Sequence, residues 1–360
     1  MREARHFLAM VWHPWLTVLV AVLSLTPGLA RADVELPPRF SAKVYVTGDG
    51  FDASSERRAR GIPSTSTMAF DRTGALYLGR TGRRYVAAEA EDLWPVYRIP
   101  AGGAHLTPKT EARYFHGPPL LNAQVAGARD TRELFITTFD RDRKIGVLYR
   151  MVDGRAALFA GGTPERGAPP LLKQPEGIAI DAGGFYVADR DRGVIVRLDA
   201  TGRVLNPRYV AVTRPRVLAL EDSGWLWIGS DGGAEAPWQQ GPGELWRVSP
   251  EGVAQVVLQG PVAQAIALSP GGHLVVADRQ AAQLYAVTPE GMRIELARFT
   301  DGDLPRSLAF APVSDETRRA GIAGDLFVVI IQRAAWPVNE ILHISGPVDE
   351  LIRERRARSP

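Results

Sequence analysis

One segment, Gln174–Asp189, returns in weaker form five more times along the chain and constrains the fold more than any other feature. Each copy contains an apolar strand, a short turn and a second apolar strand. Equivalent inner-strand residues lie 40 to 57 positions apart, at Met68, Val125, Ile178, Leu218, Ile266 and Leu308. Such spacing suits blades of four short antiparallel strands. The sequence therefore predicts an all-β chain that folds as a six-bladed β-propeller over residues 33–352.

The third unit predicts four strands, at 178–180, 185–188, 194–198 and 208–212, with glycine-containing turns between them. The sixth unit lacks an outer strand. A strand-like segment, Lys43–Thr47, precedes the first unit and has no blade of its own. We expect it to complete the last blade and close the ring, which would protect sheet edges that are otherwise open.

The first 32 residues are typical of a secretory signal peptide. They contain Arg2 and Arg5, an apolar run from Trp15 to Leu25, and small residues around a cleavage site after Ala32. The apolar run is shorter than the ~20 residues that a membrane-spanning helix needs. The chain also has no cysteine, and arginine outnumbers lysine. We predict a bacterial protein that is periplasmic or secreted, with no stable membrane span after cleavage.

The charge of the chain gives little reason to expect nucleic acid as a partner. The formal net charge is +3. The signal region accounts for +2 of this, from three arginines and one glutamate, so the exported part carries about +1. A nucleic-acid-binding face would be strongly basic. The basic residues of 353–360 are predicted to form a disordered, solvated tail.

The third unit resembles an NHL repeat, whose pattern is matched by Pro175, Gly177, Ile178, Ala179, Asp181, Tyr186, Val187, Ala188 and Asp189. The fifth unit matches it through Ile266–Ala267 and Val275–Asp278. This resemblance implies a propeller. Gluconolactonase-like, strictosidine-synthase-like and soluble quinoprotein propellers share the same outline, so the resemblance alone does not select a function.

Six residues that precede the inner strands should lie around one mouth of the central channel: Ser66, Ala123, Glu176, Arg216, Gln264 and Arg306. Two interpretations remain open. Arg216 and Arg306 could bind the carboxylate or phosphate of a small anionic ligand. Alternatively, Glu176 and the arginines could form ion pairs that only seal the channel.

The loops between the second and third strands should lie at the same end as this ring. They contribute the acidic residues Asp140, Asp142, Asp189, Asp191, Asp231 and Asp278. Two long loops add Trp238 and Trp336. These residues could form a recognition rim, since tryptophans on long loops are enriched at binding surfaces. They could instead be solvated loops and lids with local ion pairs of little energetic weight.

The resemblance to gluconolactonases implies a calcium ion held by acidic and amide side chains at such ring positions. Glu176 matches one of these positions, and Gln264 stands where an asparagine is expected. Arg216 and Arg306 depart from the pattern, because two guanidinium groups oppose a divalent cation. No serine-hydrolase elbow, phosphate-binding loop or dinucleotide fingerprint occurs, and the histidines show no ligand-like spacing.

From these observations we predict a monomeric binding or scaffold module rather than an enzyme, with no metal or other cofactor. Its partner would be a small anionic molecule or an envelope protein. The alternative is a calcium-dependent lactonase or esterase in which Glu176 and Gln264 hold the cation. A quinoprotein-like dehydrogenase is the third possibility.

Overall fold

The computed structural model describes residues 34–51, 61–80, 93–127, 133–140, 143–233, 241–260, 263–331 and 339–358, without the side chain of Ser66. The predicted signal peptide lies outside these residues, so that prediction stands as made. Two short strands precede the first repeat: β1 (Val34–Glu35) and β2 (Ser41–Gly48).

The repeats fold into antiparallel sheets in chain order. Blade 1 contains β3 (Thr65–Phe70), β4 (Leu76–Arg80), β5 (Leu93–Ile99) and β7 (Phe115–Leu121). Between β5 and β7 the chain forms the short strand β6 (Ala104–Leu106) and a 3-10 turn at Glu111–Tyr114. Blade 2 contains β8 (Gln124–Gly127), β9 (Glu133–Asp140), β10 (Ile145–Val152) and β11 (Arg155–Gly161). Blade 3 contains β12 (Pro175–Asp181), β13 (Gly184–Asp189), β14 (Val194–Asp199) and β15 (Val204–Ala211).

The second half of the chain continues in the same way. Blade 4 contains β16 (Pro215–Leu220), β17 (Leu226–Ser230), β18 (Gly243–Val248) and β19 (Ala254–Gly260). Blade 5 contains β20 (Ala263–Leu268), β21 (Leu274–Asp278), β22 (Gln283–Val287) and β23 (Arg293–Phe299). Blade 6 contains β24 (Leu304–Phe310), β25 (Leu326–Ile331) and β26 (Asn339–Ser345).

The first strand of each blade contacts the first strand of the next, and β24 contacts β3, so that the six blades form a ring. The predicted six-bladed β-propeller is therefore confirmed. The four strands predicted for the third unit all occur, each somewhat longer than predicted.

The chain ends meet in the last two blades. β2 pairs antiparallel with β26, with Val44 opposite Leu342, and is the fourth strand of blade 6. β6 then pairs parallel with β2, while β1 pairs with β23 at the outer edge of blade 5. Two sheets thus gain a fifth strand, which covers a row of backbone groups that would otherwise remain open.

Apolar side chains fill the spaces between neighbouring blades. Between blades 2 and 3, for example, Phe135, Phe159 and Phe185 pack with ring centroids 4.5 to 5.2 Å apart. Edge-to-face and tilted contacts of this kind add to the free energy gained by burying the rings. The blades consequently position their loops on a rigid support.

The C-terminal segment differs from the prediction of a disordered tail. A helix, α2 (Val348–Arg358), follows blade 6, and a shorter helix, α1 (Asp315–Arg319), occupies an insertion in that blade. Val348, Leu351 and Ile352 of α2 are buried, because their spacing places them on one helix face. The many arginines of this segment concealed that pattern. No helix among the described residues is long and apolar enough to cross a membrane.

Candidate functional site

The predicted ring positions coincide with β-bulges, where one strand carries an extra residue relative to its partner. In β16, for example, Pro215 is paired with Ser230 and Val217 with Gly229, so Arg216 has no partner of its own. The register shifts in the same way at Ser66, Gln264 and Arg306, and in β12 it shifts between Pro175 and Ile178, a span that contains Glu176. A bulge redirects the side chain that it carries. In blade 2 the corresponding residue, Ala123, precedes the first residue of β8.

Arg216 is buried and joins blade 4 to blade 5. Its Nε donates to Asp231 Oδ1 over 2.8 Å, and its Nη1 donates to the backbone carbonyl of Gln264 over 2.8 Å. Its Nη2 donates to the carbonyl of Ala263. The guanidinium group is therefore held by one carboxylate and two carbonyls, and only 6% of the residue is exposed.

Asp231 connects two arginines from neighbouring blades. Besides Arg216, it accepts a hydrogen bond at Oδ2 from Arg190 Nε over 3.1 Å, and its side chain is completely buried. Arg190 lies in the loop after β13 and also approaches Glu176, with 3.9 Å between Nε and Oε1. Glu176, Arg190, Asp231 and Arg216 thus form a network of charged groups across the mouth of the channel. The charges alternate in sign, and the network spans blades 3 and 4.

Among the described residues, the side chain of Glu176 has fewer hydrogen-bond partners than the other members of this network. Its Oε1 accepts from Gln174 Nε2 over 2.7 Å, and its side chain is 15% exposed. Burial raises the pKa of Glu176 above its usual value, although Arg216 and Arg190 partly oppose this rise. Its backbone carbonyl is fixed by the hydroxyl of Thr137 in blade 2, over 2.7 Å.

Gln264 supplies a second incompletely bonded acceptor at the mouth. The residue is 9% exposed, and within the part of the chain that the structure describes its Oε1 is buried without a hydrogen-bond partner. A buried acceptor left unbonded costs roughly 1–3 kcal/mol. Since the neighbouring carbonyl of the same residue is held by Arg216, the free energy of this site would improve if a donor reached the side chain.

The other cationic ring residue, Arg306, turns toward blade 1. Its Nη1 donates to the hydroxyl of Ser64 over 2.5 Å. The two ring arginines are thus bonded to different parts of the protein, Arg216 to blades 4 and 5 and Arg306 to the segment that leads into β3.

The predicted rim acids have several different environments. Asp189 is fully buried and accepts from the backbone N–H groups of Lys173 and Gln174, over 2.9 and 3.1 Å. Burial raises the pKa of Asp189, an effect that these hydrogen bonds counteract. Asp278 likewise accepts from backbone N–H groups in its own turn, those of Gln280 and Ala281.

The more exposed rim acids form local contacts. Asp140 accepts from the backbone of Arg143 over 2.9 Å, and Asp191 lies 3.7 Å from the ammonium group of Lys144. Among the described rim residues, Asp231 is in direct contact with a ring residue, Arg216. Asp142, Trp238 and Trp336 lie outside the described residues.

Sequence reasoning did not identify Arg190 or Gln174 as members of the site. The loop that contains Arg190 was predicted to lie at the same end as the ring, whereas Gln174 was predicted only as part of the third repeat. The alternating acids and arginines of 189–192 were a usable signal. They did not show which arginine would turn inward, because that depends on Asp231 in the next blade.

No protein-family model matches the chain, and no curated protein is a sequence match. Solved structures do match its shape. A glucose dehydrogenase is 15% identical, with a TM-score of 0.54, and the match covers 85% of this chain and all of that one. The aldose sugar dehydrogenase from Streptomyces coelicolor, in its form bound to pyrroloquinoline quinone (PQQ), is 15% identical, with a TM-score of 0.52, and covers 87% of this chain and all of that one.

A structure described as a gluconolactonase is 13% identical, with a TM-score of 0.51, and the match covers 86% of this chain and 93% of that one. At such low identity these similarities establish the fold alone. The class that the fold defines is the six-bladed β-propeller, and the dehydrogenases and the lactonase are proteins that this chain is similar to in shape.

The ring does not fit the calcium ion that the lactonase resemblance implies. Calcium takes six to eight oxygen ligands. Both oxygens of Asp231 are held by arginines, and Arg216 lies close enough to Glu176 to affect its pKa. The described residues contain no group of three or more His, Cys, Asp or Glu side chains placed to hold a metal ion.

The mouth is also a poor match for PQQ, whose carboxylates call for cationic partners. Arg190 and Arg216 share the buried carboxylate of Asp231, and Arg306 donates to the hydroxyl of Ser64. Three of the described histidines have other surroundings. His343 contacts Asp325 over 2.6 Å and stacks on Phe327, His105 contacts Asp49 over 2.9 Å, and His116 packs edge-to-face on Tyr77. We therefore derive no redox step for this site.

Proposed function

We propose that the chain is a binding module that holds a small ligand at the channel mouth, and that the ligand presents hydrogen-bond donors to Glu176 and Gln264. The proposal rests on one observation. Among the described residues Glu176 accepts one side-chain hydrogen bond, whereas a carboxylate can accept about four. Its neighbour in the network, Asp231, has both oxygens occupied by arginines.

The orphaned oxygen of Gln264 supports the same class of ligand. The terminal torsion of a glutamine has a broad range, so in this proposal the amide of Gln264 turns toward a ligand in the mouth. Hydroxyl or amine groups would then satisfy both acceptors. Polyols and sugars are the first class to test, which agrees with the names of the two shape-similar sugar dehydrogenases.

In this proposal Arg216 and Arg306 position the ring, and they do not bind an anion directly. The carboxylate and carbonyl partners of Arg216 occupy the side of the group where an anion would bind. An anionic ligand at this ring would have to compete with Asp231 for the same donor. An envelope protein that presents serine, threonine or lysine side chains to the mouth would satisfy the same acceptors as a small molecule.

The test is a binding screen by thermal melting, because a ligand of the native state raises the melting temperature by mass action. We expect a polyol or amine to raise the Tm of the wild-type protein. Glu176→Gln and Gln264→Leu should each weaken binding about tenfold, as expected for the loss of one hydrogen bond to a desolvated group. Glu221→Gln is the matched control, since the side chain of Glu221 is 17% exposed and pairs with Arg247 outside the ring.

Equal binding by the wild-type protein and both ring variants would contradict the proposal, and so would the absence of binding across the screen. A calcium arm separates the lactonase alternative. A rise in Tm with calcium that chelator reverses and Glu176→Gln abolishes would favour that alternative instead.

Export is a separate part of the proposed function, supported by the signal-like sequence before Asp33. We expect the protein in the periplasmic or extracellular fraction of a bacterial host, with Asp33 as its first residue by mass spectrometry. A full-length chain in the cytosolic fraction would contradict export.

A further inference from the structure

A cluster of three side chains recurs at the end of the propeller opposite the channel mouth. It contains an acid after the first strand of the blade, an aromatic residue in the second strand and an arginine paired with it in the third. The copies are Asp71, Tyr77 and Arg98 in blade 1, Asp181, Tyr186 and Arg197 in blade 3, and Glu221, Trp227 and Arg247 in blade 4. In each copy the arginine lies within 4 Å of the acid and over the aromatic ring.

The acid of this cluster also binds the turn that joins the first two strands. In blade 1, Asp71 Oδ1 accepts from the backbone N–H groups of Thr73 and Ala75, over 2.8 and 3.1 Å. In blade 3, Asp181 Oδ1 accepts from the N–H of Gly183 over 2.7 Å. Aspartate side chains commonly hold a turn through bonds of this kind. These turns therefore obtain their acceptor from their own blade.

Blade 5 has the same turn as blade 1 but none of the three side chains. Ser269 stands in place of the acid, and Val275 is paired with Ala286 in place of the aromatic residue and the arginine. Ser269 Oγ accepts from the N–H of His273 over 3.0 Å, which corresponds to the bond of Ala75 in blade 1.

The C-terminal helix α2 supplies the acid that blade 5 lacks. Asp349 Oδ2 accepts from the backbone N–H of Gly271 over 2.9 Å, and Oδ1 accepts from the hydroxyl of Ser269. Position 271 suits this contact because it is a glycine: an added Cβ would lie 2.6 Å from Asp349 Cγ. Apolar residues of α2 share one buried cluster with the two small residues of blade 5, and the members concerned are Val275, Ala286, Val348, Leu351 and Ile352.

Two ion pairs between α2 and the rest of the protein are much more exposed. Arg39 and Glu350 are both 49% exposed, and Arg356 and Glu290 are 51% and 62% exposed. Exposed pairs of this kind contribute little to stability. Asp349 instead bonds to Ser269, which is only 5% exposed, so we expect it to contribute more to the attachment of α2 than either pair.

We propose that α2 is a releasable element, held on blade 5 by Asp349 in place of the missing acid, which detaches and rebinds without unfolding of the propeller. In the described residues no strand follows Ser345, so the six sheets keep their pairing when α2 leaves. An element attached by one short apolar face is expected to open locally before the whole domain unfolds. This inference is independent of the ligand proposed for the channel mouth.

Trypsin is the probe, with loss of the C-terminus followed by intact mass spectrometry in native buffer. The helix carries four trypsin sites, which are cleaved when it is released: Arg353, Arg355, Arg356 and Arg358. Asp349→Ala should speed this cleavage about tenfold, the effect of losing a charge-assisted hydrogen bond. Ser269→Asp should speed it as well, because the new carboxylate repels Asp349 and can bind the N–H of Gly271 itself, as Asp71 does in blade 1.

Glu350→Ala is the matched control, since it removes a neighbouring acid from the same first turn of α2 but only an exposed ion pair. It should change the cleavage rate less than twofold. The double variant Asp349→Ala with Ser269→Asp separates the helix from the turn: we expect fast cleavage of α2 together with a Tm above that of Asp349→Ala alone, because blade 5 then holds its own turn.

Three results would overturn the proposal. The first is cleavage of both Asp349→Ala and Ser269→Asp at the wild-type rate. The second is equal acceleration by Glu350→Ala. The third is loss of α2 only together with cleavage inside the blades, at Arg247 or Arg298 for example, which would show that the helix leaves only when the whole propeller unfolds.

Discussion

The buried carboxylate of Asp231 offers the sharpest test of the network at the channel mouth. Asp231→Ala removes the shared partner of Arg216 and Arg190, which lie 2.8 and 3.1 Å from its two oxygens. Breaking a buried ion pair by removing one partner costs about 3–5 kcal/mol, because the remaining charge stays desolvated. Arg216 keeps two carbonyl partners, which moderates the loss. We therefore expect the free energy of unfolding to fall by about 4 kcal/mol.

Differential scanning calorimetry and urea unfolding measure this change. In a propeller of this size a loss of about 4 kcal/mol corresponds to a fall in Tm of roughly 6 °C. Glu295→Ala is the control, since Glu295 and its partner Arg298 are each about half exposed and such pairs contribute about 0–1 kcal/mol. A double-mutant cycle between Asp231→Ala and Arg216→Gln should give a coupling free energy above ~1 kcal/mol.

A cost for Asp231→Ala no larger than that of Glu295→Ala would refute the reasoning. It would mean that water reaches the arginines at the mouth and that the ion pairs do not help to hold blades 3, 4 and 5 together.

Three further predictions concern pH, backbone contact and the C-terminal helix. Burial raises the pKa of Glu176 from 4.5, so as the pH rises the unfolded chain loses this proton before the folded protein does, and the stability of the wild-type protein falls between the two pKa values. Glu176→Gln should remove this loss, so its stability in urea relative to wild type should increase from pH 4 to pH 8. Parallel pH profiles of the two proteins would contradict the burial argument. Gly177→Ala should lower the free energy of unfolding in urea by about 1–3 kcal/mol, because the added Cβ would lie 2.5 Å from the carbonyl oxygen of Arg216. Gly183→Ala should cost clearly less, because the nearest neighbours of its Cβ are side-chain atoms at 3.3 Å. Leu351→Ala should destabilise the protein by about 2–5 kcal/mol and expose the C-terminus to proteolysis, because Leu351 is only 6% exposed. An unchanged Tm would show that α2 does not pack on the blades.

The repeated strands were predictable because their information is local. Apolar alternation and glycine turns recur in every unit, so the number of blades and the strands of blade 3 follow from the sequence. The ring positions followed as well, because they occupy the same place in each repeat. Glu176 and Arg216 could be chosen without knowledge of any contact between blades.

The partners of those residues could not be predicted in the same way. Arg190 and Asp231 lie in loops of different blades, and nothing in either loop specifies the other. The parallel pairing of β6 with β2 likewise joins a segment between two strands of blade 1 to the outer strand of blade 6. In α2, charge dominated the composition while three apolar residues determined the structure. Long-range geometry was the missing information for the contacts between blades, whereas in α2 a local apolar spacing was hidden by the arginines.

Residues at the β-bulges of the ring are under a different sequence constraint from residues in regular strand pairing. A residue in regular pairing must respect the alternation that fills the spaces between blades, whereas a bulged residue stands outside that register. Glu176 and Gln264 are less constrained than Arg216, which is bonded to Asp231 and to two carbonyls of blade 5. Substitutions at Glu176 and Gln264 should therefore alter the chemistry of the channel mouth while the apolar packing between the blades is retained.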